Sequence, residues 1–364
     1  MRPGEESDLV QMIRAASGPF ALRGGGTRGP MAAGAVLDLA GLSGVTLYDP
    51  GALTLVAGAG TPLAQVQAAL AEQGQHLAFE PPDLRALLGR QGVSSLGGVA
   101  AANASGPRRV QAGAARDALI GLRFVDGQGA VVTSGGRVMK NVTGLDLVKL
   151  MAGAHGTLGV VTEVAFKLRP APETRASLCL HDQTLAQAVA AMSAALGSPY
   201  EISGAAHLPA SRETHLRIEG FAASVAYRTA RLQDLMAGQG AQISQSPDPV
   251  ALWAGLRDVV ALAGQPGDLW RLSVQPSTAP GLVARLPEGS LAQLDWGGGL
   301  IWVRTPPGCD LRAHLGPITG HATLLSGPAH LPVFAPAPAP VSQLSAALRR
   351  KFDPRGILNP GLMP

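Results

Sequence analysis

Three glycine-rich stretches, in a fixed order along the chain, have the composition to grip an anion through backbone groups. They are Arg23-Gly24-Gly25-Gly26-Thr27-Arg28-Gly29, then Ser94-Ser95-Leu96-Gly97-Gly98-Val99-Ala100-Ala101 with Asn103, Ser105 and Gly106 after it, then His155-Gly156-Thr157-Leu158-Gly159-Val160-Val161. Glycine has no Cβ, so a turn built from it reaches positive φ and lets a ligand approach the main chain. Successive N–H groups in such a turn form a concave nest for an anion. Two nests at opposite ends of a domain can hold a pyrophosphate between them, which points to a dinucleotide. Metal chemistry is not expected: His207 and His215 are eight apart, and His314, His321 and His330 are scattered, which is not the spacing of a ligand set.

The first stretch also fits G-x-G-x-x-G through Gly24, Gly26 and Gly29, with Asp49 downstream where a ribose-binding acid would stand. A loop of that kind must open a helix. Here Pro30 and Gly34 lead into Val36-Leu37-Asp38-Leu39, which reads as a strand. The expected unit is therefore strand–loop–strand. Taken alone, the loop reads equally well as a glycine hairpin with no ligand.

A chain of 364 residues has room for two domains. The formal charge of +4 is mild, and the longest basic run, Arg349-Arg350-Lys351, suits a helix end better than nucleic acid. Cys179 and Cys309 are the only cysteines and form no Cys-x-x-Cys. An iron–sulfur cluster within the chain and a disulfide framework are both unexpected, which fits a reducing cytoplasm. No apolar run resembles a signal peptide or a membrane span. The expected location is cytoplasmic, peripheral at a membrane only through partners.

The elements that must position the loops follow from periodicity. Glu5–Ala16 reads as a helix, Phe20–Leu22 and Thr54–Ala57 as strands. Thr61 is expected to cap a helix with Pro62 at its first position and Leu63, Val66 and Leu70 inward. Leu119–Asp126 and Val131–Thr133 read as a hairpin around Asp126-Gly127-Gln128-Gly129. In Val160–Leu168, Val160, Val164, Phe166 and Leu168 are expected on one face. Arg169-Pro170-Ala171-Pro172 marks a boundary. Beyond it, strands are expected at 176–180, 214–218, 270–274 and 300–303, and helices at 185–196, 222–238 and 249–262. A proline-rich linker follows at 331–340, then a last helix through Leu344, Leu348 and Phe352. The expected domains are residues 1–172, 173–340 and a C-terminal helix and tail, 341–364, that packs back on the first.

In their order, the three glycine elements resemble the flavin-binding domain shared by vanillyl-alcohol oxidase-like and p-cresol methylhydroxylase-like (PCMH/VAO-type) enzymes. Val138-Met139-Lys140-Asn141-Val142-Thr143-Gly144-Leu145-Asp146, then Leu150-Met151-Ala152-Gly153-Ala154-His155, resemble the bacterial glycolate oxidase flavin subunits. So do Ser105-Gly106-Pro107-Arg108-Arg109, Arg116-Asp117 and Phe352-Asp353-Pro354-Arg355-Gly356-Ile357-Leu358-Asn359-Pro360-Gly361. These three stretches are closest to the smaller of the two flavoprotein subunits. The resemblance implies an α+β fold: a two-subdomain FAD-binding domain followed by a smaller α+β cap domain. It implies FAD held by Arg23, Gly24, Gly25, Gly26 and Thr27, by Gly97, Gly98, Ala101, Asn103, Ser105 and Gly106, and by Gly156, Gly159, Val160 and Val161. It also implies a glycolate-oxidising complex with a catalytic flavoprotein subunit and an iron–sulfur subunit.

Two departures qualify the resemblance. Many relatives attach the flavin through a His after the first glycine triplet; this chain has Thr27, so non-covalent FAD is expected. The His-x-Gly-Asp-Gly-Asn-x-His-type motif of catalytic 2-hydroxy acid dehydrogenases is absent. An accessory, electron-relaying role is therefore expected ahead of a stand-alone FAD-dependent 2-hydroxy acid (glycolate or D-lactate) dehydrogenase or a flavin-free scaffold. No catalytic residue is assigned. Arg217, Arg271 and Arg304, on expected strands of the second domain, are candidates to hold a carboxylate.

Overall fold

A computed structural model of the chain describes residues 1–29, 31–136 and 145–363. The stretch 138–144 of the glycolate oxidase-like signature lies outside the described residues. Two antiparallel sheets dominate. The first has five strands in the order Val45–Asp49, Thr54–Gly58, Val160–Lys167, Leu119–Val125, Val131–Gly135. The chain's apolar pattern explains the order: Val160–Lys167 is buried along both faces except at Glu163 and Lys167, as a central strand must be. Its alternation is broken by a register shift at Arg123/Phe124. Val161, Val164, Phe166 and Leu168 join one core, while Val160 packs with Leu9, Ile13 and Phe20 in another. The expectation that Val160 shares a face with Val164 is corrected by that bulge.

Phe20–Arg23 pairs in parallel with Ala35–Asp38. The glycine loop between them is thus a parallel crossover, and the hairpin reading of it fails. Residues 357–359 extend this small sheet: Phe20 N–H donates to Ile357 O (2.7 Å) and Asn359 N–H to Phe20 O (3.0 Å). Thr61 does not cap the following helix, which begins at Leu63 after Pro62. Instead its buried hydroxyl donates to Gly58 O (2.7 Å) and accepts from Gly44 N–H (2.9 Å), fixing the end of the strand below the second glycine element.

The second sheet begins at Thr174 and has eight strands, in the order Gln242–Gln245, Thr174–His181, Glu213–Gly220, Gly204–Leu208, Leu291–Asp295, Leu300–Thr305, Asp268–Val274, Gly320–Ser326. Helices Leu185–Leu196 and Ala222–Ala237 cover one face over a single apolar core. The first of these starts at a capping box, Thr184 with Gln187. The helix expected over 249–262 stops at Arg257, because Val259 adopts φ +55° and a short 3₁₀ turn, Val260–Leu262, follows. The other face of this sheet looks toward the first sheet's unit and carries charge. There Arg217 grips Glu80 with paired bonds of 2.9 and 2.8 Å. The last helix, Ala339–Phe352, returns Phe352 to Phe124, with ring centroids 6.0 Å apart.

Candidate functional site

The parallel pair aims the first glycine loop at the second. Gly26 and Gly29 adopt φ of +66° and +67°. A Cβ on Gly25 would lie 1.6 Å from Val93 O, and one on Gly24 would lie 2.4 Å from Ser95 Oγ. Those glycines therefore let the loop lie directly on the segment that leads into helix Leu96–Ala101. The N–H groups of Gly25, Gly26, Thr27 and Arg28 donate to nothing among the described residues. Four successive unspent donors beside two positive-φ glycines are what a phosphate nest requires. The second element is different. Leu96 N–H donates to Thr61 O, Gly97 N–H to Ala59 O and Gly98 N–H to Ser95 Oγ. It supplies a close-packed floor, since a Cβ on Gly97 would meet Ala59 at 2.5 Å.

Arg23, Gly24, Gly25, Gly26, Thr27, Gly97, Gly98, Ala101, Gly156, Gly159, Val160 and Val161 line one cleft. Asn103 and Ser105 line an adjoining cavity. Their side chains hold the neighbouring loop, Asn103 Oδ1 accepting from Arg116 N–H and Ser105 Oγ from Ala115 N–H, each at 2.9 Å. Gly106 lines neither; its N–H donates to Phe79 O and its carbonyl accepts from Trp296 Nε1–H. Sequence reasoning missed Asn359 as a site residue, although it stands in the quoted C-terminal stretch. Its amide accepts from Leu22 N–H (2.7 Å) and donates to His155 O (2.8 Å), locking the first loop's strand to the third loop.

Arg28 was also missed. It lies where cleft and cavity meet. One nitrogen donates to Ser94 Oγ (2.9 Å), but Nε and the other terminal nitrogen are buried without a partner among the described residues. Burial pulls its pKa down to about 10. A buried, half-satisfied guanidinium beside free amides is a strong electrostatic demand for an anion. The residues present therefore fit a dinucleotide whose pyrophosphate sits on loop 24–29. Arg23 is occupied differently, paired with Asp38 at 2.9 Å across the parallel strands.

The adjoining cavity, about 320 Å³, opens between the two large sheets. Arg28, Arg109 and Arg271 line it, and among the described residues no carboxylate does. Arg109 stacks 4.4 Å over Trp296, and Arg271 lies between Trp296 and Trp302 at 5.2 and 5.8 Å. Burial and the neighbouring Arg109 bring Arg271 down to about 10. His155, at φ +50°, and His321 also line the cavity. Burial and Arg271 push His155 down to about 4 and lower His321. Of the three strand arginines, only Arg271 reaches this cavity. Arg217 belongs to the Glu80–Glu219 network, and Arg304 donates to the carbonyls of Gly267, Leu87 and Leu262.

Fold and cleft together define a flavoprotein. Residues 1–135 match the FAD binding domain family. Alkyldihydroxyacetonephosphate synthase superposes on 99% of this chain and 76% of its own with a TM-score of 0.71 at 16% identity, a likeness of fold. The glycolate oxidase subunit GlcE of Escherichia coli (strain K12) is 36% identical over 351 residues, covering 95% of this chain and 92% of its own. The chain belongs to the GlcE family of FAD-linked oxidoreductase subunits, and FAD is its cofactor. Shorter matches are to the glycolate oxidase subunit GlcD of Bacillus subtilis (strain 168), 41% over 100 residues, 28% of this chain and 20% of that one, and to D-2-hydroxyglutarate dehydrogenase of Xanthomonas citri pv. viticola, 34% over 178 residues, 47% and 36%. Among the described residues no helix is long and apolar enough to cross a membrane.

Proposed function

We propose that this chain is the FAD-binding, electron-relaying subunit of a multi-subunit complex that oxidises glycolate to glyoxylate. A catalytic flavoprotein subunit and an iron–sulfur subunit are its partners, and any contact with a membrane is made through them. The observation that carries the reading is the cleft under loop 24–29, with its unspent amides and orphaned Arg28. Bound there without a covalent link, FAD would accept electrons as a pair and release them singly. The amides of Gly25–Arg28 and the Arg28 guanidinium would hold its negative charge. Gly97 and Gly159 let the floor close, since a Cβ on Gly159 would strike Phe124 at 2.6 Å. Asn359 keeps the first and third loops in register. A flavin-free scaffold has no use for a buried cation left half unpartnered.

The relay role rests on the weakness of the histidines that line the cavity; Asp295, which burial raises to about 7, does not line it. Removal of a hydroxyl proton needs a base whose pKa lies near the working pH. His155 is pushed down to about 4, and His321 is lowered as well. One observation favours a second reading, in which this chain oxidises a 2-hydroxy acid itself: Arg28, Arg109 and Arg271 line the cavity, and among the described residues the acids nearest them, Asp83, Asp258, Asp117 and Asp295, stand outside its lining. Anaerobic addition of glycolate to the purified chain separates the two. Flavin that stays oxidised until the partner subunits are added supports the relay. Flavin that bleaches in the isolated chain overturns it in favour of the second reading.

A further inference from the structure

We propose that Cys179, His181, Glu213 and His215 form a closed four-ligand zinc site on the charged face of the eight-stranded sheet. Neither the flavin cleft nor the arginine cavity uses any of them. The expectation from histidine spacing was that no metal binds. That expectation did not weigh this set, because two of the four residues are not histidines and their pairing depends on strand register.

The geometry follows from the sheet. Cys179 and His181 alternate on one strand, Glu213 and His215 on its antiparallel neighbour, so all four point to one face. Cys179 stands directly opposite His215, and Leu180 opposite Thr214, which brings His181 and Glu213 level one position further on. Four side chains thus rise from the corners of a small rectangle. The ligand atoms of Cys179, Glu213 and His215 lie within 4.8 Å of one another. His181 Nδ1 lies 3.8 Å from Cys179 Sγ and 3.8 Å from Glu213 Oε1, and His215 Nε2 lies 3.7 Å from Glu213 Oε2. Zinc bonds of about 2.0–2.3 Å in a tetrahedron separate the ligand atoms by roughly 3.3–3.8 Å. Three of the contacts already stand at that spacing; the trio of Cys179, Glu213 and His215 must draw in from within 4.8 Å, and the partly exposed His181 ring must move toward it, to close on an ion.

A second observation points the same way. His215 is only 4% exposed, yet neither ring nitrogen has a hydrogen-bond partner. A buried imidazole of that kind calls for a ligand. The outer contacts are those of metal-bound groups. His181 Nε2 lies 2.8 Å from Ser244 Oγ, which leaves Nδ1 for the metal, and Ser211 Oγ donates to Glu213 Oε2 at 3.1 Å. One thiolate and one carboxylate neutralise a divalent cation, and two neutral imidazoles complete its shell. Cys179 and His215 form a buried floor, while His181 and Glu213 are partly exposed and give the ion a way in. Soft sulfur with imidazole selects zinc over calcium or magnesium. With all four positions filled by protein the site is structural, tying the strand Thr174–His181 to Glu213–Gly220.

The test uses the full-length, flavin-loaded chain, given zinc and then dialysed against metal-free buffer. One zinc per chain is expected by elemental analysis, with X-ray absorption showing one sulfur at about 2.3 Å and nitrogen or oxygen ligands near 2.0–2.1 Å. Cys179→Ser and His215→Ala should each lower retained zinc at least tenfold while the flavin-to-protein ratio stays unchanged. Cys179→Ser keeps the size of the side chain and serves where His215→Ala does not fold. No retained zinc, zinc without a sulfur neighbour, or undiminished zinc in Cys179→Ser would overturn the site.

Discussion

Replacing Arg217 with Met removes a cation that ties the eight-stranded sheet to Glu80 of the first unit. Its side chain is 2% exposed and Glu219's is 1% exposed, so neither is screened by water. Arg217 bonds both oxygens of Glu80, lies 3.3 Å from Glu219 and stacks 4.5 Å over Trp253. Without it Glu219 keeps Arg175 at 2.7 Å and Arg108 at 3.4 Å. Among the described residues Glu80 keeps only the Arg108 backbone N–H, at 3.0 Å. Leaving one buried charge uncompensated costs about 3–5 kcal/mol, and the partners that Glu219 retains put the expectation near the lower end. With an unfolding entropy of about 2.1 cal/mol/K per residue, the lower end is a fall in Tm of roughly 4 °C if the chain unfolds as one unit. Calorimetry on the flavin-loaded protein measures it. Glu80→Gln removes the orphaned charge, so adding it to Arg217→Met should return part of the loss, a coupling of about 1–3 kcal/mol. A Tm shift under 1 °C, or strictly additive single and double variants, would refute the reasoning.

Three further outcomes follow from the same geometry. Gly25→Ala should cost most of the bound FAD, because its Cβ would fall 1.6 Å from a backbone oxygen, whereas Gly98→Ala should be tolerated, its only close contact being Ser95 Oγ at 3.1 Å; flavin absorbance per chain after gel filtration compares them. Arg271→Met should weaken binding of a small carboxylate such as oxalate roughly 10- to 100-fold, the worth of a charge-assisted hydrogen bond, and titration showing under threefold change would remove Arg271 from the anion cavity. His76, His155 and His207 are each held near 4 by burial, with Arg108 adding to the effect at His76 and Arg271 at His155. Because their folded values lie below the ordinary 6.5, the stability they contribute is present above pH 6.5 and drains away as pH falls toward 4. The urea midpoint should therefore drop steadily across that window, and a flat profile would contradict the neutral, buried state of these rings.

The flavin cleft was legible because its information is local. Gly24, Gly25, Gly97 and Gly159 are needed for close approaches to Ser95, Val93, Ala59 and Phe124, and Gly26 for its positive φ, and such needs leave a mark in consecutive residues. The strand–loop–strand reading of 20–39 held for the same reason: Pro30 and Gly34 deny a helix. Its parallel pairing was not legible, because residues 357–359 and the loop's packing on Val93 decide it. The cavity was invisible in sequence. Arg28, Arg109, His155, Arg271 and His321 come from five separate elements, and Arg271 differs from Arg217 and Arg304 only in what the sheet brings opposite it. Thr61 shows the limit of local signals: a Thr-Pro pair looks like a helix start, but the hydroxyl is taken by Gly58 and Gly44. Cys179 and His215 meet only through strand register, which no single stretch encodes.

The claim on which the rest stands is that the cleft under loop 24–29 holds FAD without a covalent bond. An absorbance spectrum of the purified chain, followed by denaturation and ultrafiltration, tests it directly. About one FAD per chain, bound to the folded protein and recovered in the filtrate, is the expected result. A folded, colourless chain that takes up no added FAD, or flavin that stays with the denatured polypeptide, would contradict it.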